Sequence, residues 1–86
     1  MAVINNNFFK ELSQMILYHR KKSGVSQKEL AELAGLGKTA LFDLEHAKPT
    51  VQIDTLLKVL QALNITVHFS SPLMAAYNEE SKHETG

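Results

Sequence analysis

Cysteine is absent from this chain, which excludes a disulfide framework and every thiolate metal site, so packing must hold the fold together. Long hydrophobic runs are missing too. No apolar stretch approaches the roughly 20 residues that a membrane-spanning helix needs, and Met1 to Asn7 lacks the charged-then-apolar order of a secretory signal. The cytoplasm is therefore the expected location. Nor does either sign of charge prevail: nine basic residues oppose nine acidic ones, and a net charge of zero offers no overall attraction to nucleic acid. Length is also short. With 86 residues the chain supports one compact domain near the lower end of comfortable single-core stability, where dimerisation would help.

The zero average conceals an asymmetry. Residues 1 to 70 carry eight basic and six acidic side chains, whereas the tail from Ser71 to Gly86 has Lys82 against Glu79, Glu80 and Glu84. Binding to a polyanion depends on the field at the contact face, so an acidic tail still permits DNA.

What the chain does have is apolar residues at helical spacing, broken by clear stops. Phe8 to Lys22 reads as a first helix with Phe9, Leu12 and Ile16 in a stripe, joined at its edges by Met15 and Tyr18. Arg20, Lys21 and Lys22 fall in its last turn, where cations complement the helix dipole, and Ser23-Gly24 ends it. Arg20 and Lys22 are candidates for DNA phosphate; a solvated, well-capped helix end is the plainer and compatible alternative. Ser26 and Glu29 form a capping box for a second helix, with Val25 and Leu30 as a hydrophobic staple. Leu30, Leu33 and Ala34 are expected to face inward, and small Ala31 allows a neighbouring helix to approach closely. Gly35 is placed to close this helix in the left-handed conformation, after which Leu36 returns to the core.

A third helix runs from about Gly37 or Lys38 to His46, with Leu41 and Leu44 inside. Lys38, Thr39, Phe42 and Asp43 are left on its outer face. The major groove of DNA admits one helix, and these residue types suit its edges. Lys38 can reach phosphate or guanine; Thr39 can donate to phosphate or offer its methyl to thymine. Phe42 can pack on a thymine methyl, or equally serve a core or dimer contact. Asp43 would repel phosphate, so it either accepts from a cytosine amino group, orients a lysine, or is simply solvated. Gln27 and Lys28, in the first turn of the second helix, add phosphate candidates, Gln27 through its amide and a backbone N–H. Glu45 lies on the core side of the third helix, where pairing with Arg20 would fasten helices one and three.

After Lys48-Pro49, a fourth helix begins at Asp54 or just before and continues through Leu63, its Leu56, Leu57, Val59, Leu60 and Leu63 covering more than one face. Surplus apolar surface predicts a partner. Asn64 stops this helix, and Ile65-Thr66-Val67-His68-Phe69-Ser70 alternates as a strand does. A lone strand leaves both edges unpaired, so two copies are expected to pair about a two-fold axis. Leu73 to Tyr77 reads either as a short docking helix or, the preferred reading, as part of a frayed terminus.

Catalysis finds no support. His19, His46, His68 and His83 are scattered, with surface or helix-end roles expected for His19 and His46, and no carboxylate pattern completes a metal site. G-L-G-K-T lacks the earlier glycine of a phosphate-binding loop, since Glu32 stands at that position. The expected catalytic, metal and cofactor sites are none.

The stretch S-Q-K-E-L-A-E-L-A-G-L-G-K-T-A-L-F-D-L-E-H-A-K-P, followed by D-T-L-L-K-V-L-Q-A-L-N-I, resembles the Cro/C1-type (Xre) helix-turn-helix family, and the added strand makes it look most like the HipB-like antitoxin branch. The resemblance spans Phe8 to Ser70. It implies a homodimeric repressor that binds a double-stranded DNA operator near its own gene and neutralises a HipA-like serine/threonine kinase toxin. By matching position, Gln27 would bind phosphate, Lys38 and Thr39 would begin the recognition helix, and Phe42 and Asp43 would face the groove. The chain departs from the family pattern at Gly37, where a serine or threonine usually caps, and at Ala40, where threonine is frequent.

The expected architecture is mostly α: a four- to five-helix Cro/C1-type helix-turn-helix bundle with one C-terminal β-strand pairing across a homodimer. Its parts are a flexible N-terminus (1–7), the DNA-binding domain (8–63), a dimerisation strand (64–70) and a flexible tail (71–86). Leu60, Leu63, Ile65, Val67 and Phe69 are expected at the dimer interface. A stand-alone regulator of the same family, or a protein-binding adaptor with incidental DNA contact, are the alternatives.

Overall fold

Apolar residues at helical spacing become four packed helices and a fifth beyond them in the computed structural model, which describes residues 6–84. The elements are α1 (Asn6–Lys22), α2 (Gln27–Ala34), α3 (Lys38–Glu45), α4 (Ile53–Ala62) and α5 (Met74–Glu84). Most of the expected flexible N-terminus, residues 1–5, lies outside the described residues. Helix α1 starts two residues earlier than the expected Phe8.

One cluster holds the bundle. Ile16 of α1, Leu30 and Ala31 of α2, Leu41 and Leu44 of α3, and Val59 and Leu60 of α4 are buried together. Leu12, Met15, Val25, Leu36, Leu56, Leu63 and Ile65 pack around them. Helix α2 lies against both α3 and α4, and α1 lies against α3. Ala31 is buried as its small size suggested, but Leu33 is 68% exposed, against expectation. At about 3.6 residues per turn, a face centred on Leu30, Ala31 and Ala34 carries Leu33 round to the flank.

Each of the first four helices ends in a left-handed residue: Gly24, Gly35, Ala47 and Asn64. In each case the N–H of the following residue reaches back to a carbonyl in the last turn, as in Leu36 to Ala31 (2.8 Å) and Ile65 to Leu60 (2.8 Å). This pattern satisfies orphan carbonyls and turns the chain sharply. Gly35 (φ 71°) takes this conformation without a Cβ penalty, whereas Ala47 (φ 59°) adopts it with one.

Two expectations about the C-terminal part, the strand and the frayed end, need correction. Residues 65–70 form no strand, and the described residues are all-α outside turns and loops. A strand is defined by its ladder, and the alternation from Ile65 to Phe69 meets no second backbone within one chain. The expected interface residues also divide: Leu60 is buried, and Leu63 and Ile65 pack on the core, because α4 and the turn that follows it close the bundle with them. Val67 and Phe69 are exposed, Phe69 by 79%. Past Pro72 the chain is helical as α5, where the sequence favoured a frayed end.

Candidate nucleic-acid interface

Helix α3 is fixed from its inner side. Leu41 and Leu44 are buried there, and Glu45, at the end of the same face, carries a side chain only 2% exposed. A buried carboxylate must be paired and hydrogen-bonded to be tolerated. Arg20 supplies both requirements. Its Nε donates to Glu45 Oε2 at 2.6 Å and its Nη2 to Oε1 at 3.2 Å, while Nη1 donates to the Val25 carbonyl at 3.1 Å. Gln27 adds a third link, its Nε2 donating to Glu45 Oε1 at 2.9 Å. One carboxylate thus joins α1, the first turn of α2 and the last turn of α3. Among the described residues, no buried side-chain nitrogen or oxygen lacks a partner.

This arrangement redefines two sequence candidates. The pairing of Arg20 with Glu45 is the one the spacing suggested, and it turns the guanidinium inward, away from the phosphate role also expected of Arg20. Gln27 commits one amide hydrogen to Glu45, leaving its second hydrogen and its backbone N–H at the helix start. Lys28 beside it is exposed, as is Lys22, whose ammonium lies 5.7 Å from the centre of the Tyr18 ring.

The outer face of α3 assembles the remaining candidates. Lys38, Thr39 and Phe42 line one shallow surface depression. All three are exposed. The helix starts at Gly37 with no side-chain cap, so the first N–H groups of α3 have no hydroxyl or carboxylate closing them off, and a helix start carries partial positive charge. Asp43 stands slightly apart. It lines a neighbouring depression with Ala40, Thr50 and Val51, and its Oδ2 is 3.6 Å from Lys48 Nζ. Orienting a lysine, one of the roles open to Asp43, therefore has a named lysine in reach.

Sequence reasoning passed over Lys48 and underused His46. Lys48 follows the left-handed Ala47, whose turn brings the chain back beside Asp43. His46 stacks on Phe42, with ring centroids 3.8 Å apart and planes 22° from parallel. The signal was present in the four-residue spacing of the two rings, which places them on one helix face.

A family model described as helix-turn-helix matches residues 16–69. The chain belongs to the Cro/C1-type helix-turn-helix family. Within that family it is a DNA-binding transcriptional regulator of the helix-turn-helix type. A curated relative in Sinorhizobium fredii, named as the uncharacterised HTH-type transcriptional regulator y4mF, is 37% identical over 62 residues, covering 72% of this chain and 82% of the relative. The solved structure titled MDT Protein matches 84% of this chain and 97% of its own with a TM-score of 0.70; at 19% identity, that likeness concerns the fold alone. In this helix-turn-helix protein α2 and α3 are the paired helices, Gly35 lies in the turn, and α3 is the helix that offers its outer face. Among the described residues, no helix is long and apolar enough to cross a membrane.

Proposed function

We propose that this helix-turn-helix protein is a homodimeric repressor that reads an operator with α3 in the major groove. The observation that carries the reading is the division of α3 into two faces: Leu41, Leu44 and Glu45 locked inward, with Lys38, Thr39 and Phe42 offered outward. A helix that must read bases has to be both rigid and accessible. In this reading Lys38 and Thr39 contact the groove edges near the helix start, and Phe42 and Asp43 lie further along. Gln27, Lys28 and Lys22 hold phosphate on either side.

Binding of the full chain to a duplex chosen by in vitro selection, compared with random duplex, tests this directly. Lys38→Ala and Thr39→Ala are expected to reduce the preference for the selected duplex, with a good base contact contributing about 1–3 kcal/mol of discrimination. Gln27→Ala should weaken both duplexes alike. Equal affinity of the unmodified protein for selected and random DNA would overturn the reading.

Dimerisation supplies what one chain cannot. Val67 and Phe69 are exposed on a segment without a ladder partner, and pairing residues 65–70 between two copies would cover both and set two α3 helices about one DNA turn, roughly 34 Å, apart. Phe69→Asp should then shift the protein toward monomer in sedimentation equilibrium, by about tenfold or more in the dimer constant if a large aromatic side chain is withdrawn from the interface. Unchanged self-association would remove the segment from the interface.

The finer function we infer is that of an antitoxin in the HipB-like branch, partnered by a HipA-like serine/threonine kinase. It is supported by the family resemblance and by apolar groups left outside the bundle, Leu73 at 75% and Tyr77 at 63% exposure. Co-purification with the product of the adjacent gene checks it. Recovery of the protein alone favours a stand-alone regulator.

A further inference from the structure

Phe42 is an odd residue to leave on an outer helix face: a phenyl ring 48% exposed has neither a hydrogen bond to fix it nor a core to fill. Its surroundings give it a fixed position. One turn later the His46 imidazole lies flat against the ring at 3.8 Å between centroids, and the His46 Nδ1–H donates to the Phe42 carbonyl oxygen at 2.7 Å. That hydrogen bond holds the imidazole to the backbone of the very residue whose side chain it stacks upon. His46 also closes α3, its backbone N–H reaching the carbonyls of Phe42 (3.1 Å) and Asp43 (3.2 Å). A ring supported in this way loses little rotamer freedom when it is covered, which lowers the cost of using it for recognition.

We propose that His46 is a positioning residue which holds Phe42 as a rigid apolar plate beside Lys38 and Thr39, and that this plate reads the 5-methyl group of a thymine in each half-site. The inference rests on the reading of α3 as the groove-facing helix and names a base feature that this helix selects. Thymine is the base that fits, because it alone places a methyl group on the major-groove edge, where an apolar ring can cover it. Removing one methyl from such a contact should weaken binding about fourfold per half-site, the value expected for one buried carbon group.

The experiment replaces each thymine of the selected duplex, one position at a time, by deoxyuracil, which deletes only the methyl. For the unmodified protein, one thymine in each half-site should show the fourfold loss. In His46→Ala the ratio at that position should fall close to one, while helicity and affinity for random duplex stay unchanged. His46→Phe keeps a ring that can stack but lacks the Nδ1–H that anchors it, and should restore the ratio only in part. If the protein selects a duplex but tolerates deoxyuracil at every position, the inference fails while operator binding stands, and Phe42 is left for a protein contact. Retention of the fourfold ratio in His46→Ala would equally overturn the positioning role. Failure to select any duplex would overturn the operator reading and this inference together.

Discussion

Helices α2 and α3 are of equal length, eight residues each, yet they are stabilised in opposite ways. Helix α2 is closed at both ends by its own sequence. Ser26 accepts from the Glu29 N–H at 3.0 Å, Glu29 accepts from the Ser26 N–H at 2.9 Å, and Gly35 ends the helix in a left-handed conformation that glycine adopts more readily than any other residue. Helix α3 has neither device: Gly37 provides no side-chain cap, and Ala47 turns the chain with an unfavourable Cβ. Its order comes from tertiary contacts on its inner face. The bracing helix is thus locally self-sufficient, and the helix we propose to enter the groove borrows its rigidity from the core, which leaves its start and outer face uncommitted.

The strongest way to break this contrast is to remove the borrowed support. Arg20→Met leaves the buried Glu45 carboxylate without its cation, and breaking a buried pair on one side typically costs about 3–5 kcal/mol. In a domain of this size, each kcal/mol lowers the melting temperature by about 4–8 °C. Thermal melts followed by circular dichroism should show the drop, and the double change Arg20→Met with Glu45→Leu should recover most of it, since an apolar pair carries no stranded charge. A small effect from Arg20→Met alone would show that packing at Leu41 and Leu44 suffices to hold α3.

Much of this architecture is legible in the residues. The capping box, the Gly35 stop, the inward spacing of Leu41 and Leu44, and the match of Arg20 to Glu45 all follow from local periodicity or from charges placed on facing sides. The unread parts depend on distant partners. Gln27 is 18 positions from Glu45, and nothing in its own neighbourhood foretells that its amide points inward. Leu33 reads as a core residue until the packing of α4 decides which side of α2 is covered. The alternating segment from Ile65 to Ser70 has the local character of a strand, but local character supplies no second backbone. His46 takes the surface, helix-end position expected of it, and only its stacking on the ring four residues before it goes unread.

A gentler change sharpens the contrast from the other end of α3. Ala47→Gly relieves the left-handed penalty of about 1–2 kcal/mol, offset in part by the greater freedom glycine gives the unfolded chain. The expected result is a net gain of about 0.5–1 kcal/mol, read as a rise of a few degrees in the melting temperature. The same exchange has no counterpart in α2, where Gly35 already holds the position. A loss of stability would mean that the Ala47 methyl contributes packing that outweighs its strain.

The smallest expected effect concerns the capping box that makes α2 self-sufficient. The backbone N–H of Ser26, and secondarily its hydroxyl, hold the Glu29 carboxyl below its ordinary value of 4.5. A carboxyl depressed in the folded state binds fewer protons there than when unfolded, so its contribution to stability is present above the ordinary value and fades as pH falls through the lowered one. Acidification from pH 5 toward 3 should therefore destabilise the protein slightly more than it does Glu29→Gln, whose amide oxygen can accept the same bond but cannot titrate. Because Glu29 is fully exposed, water screens the interaction, and the two melting curves should diverge only modestly. Parallel pH profiles would show that the box holds α2 by geometry alone, and would bring α2 closer to α3 in its reliance on the core.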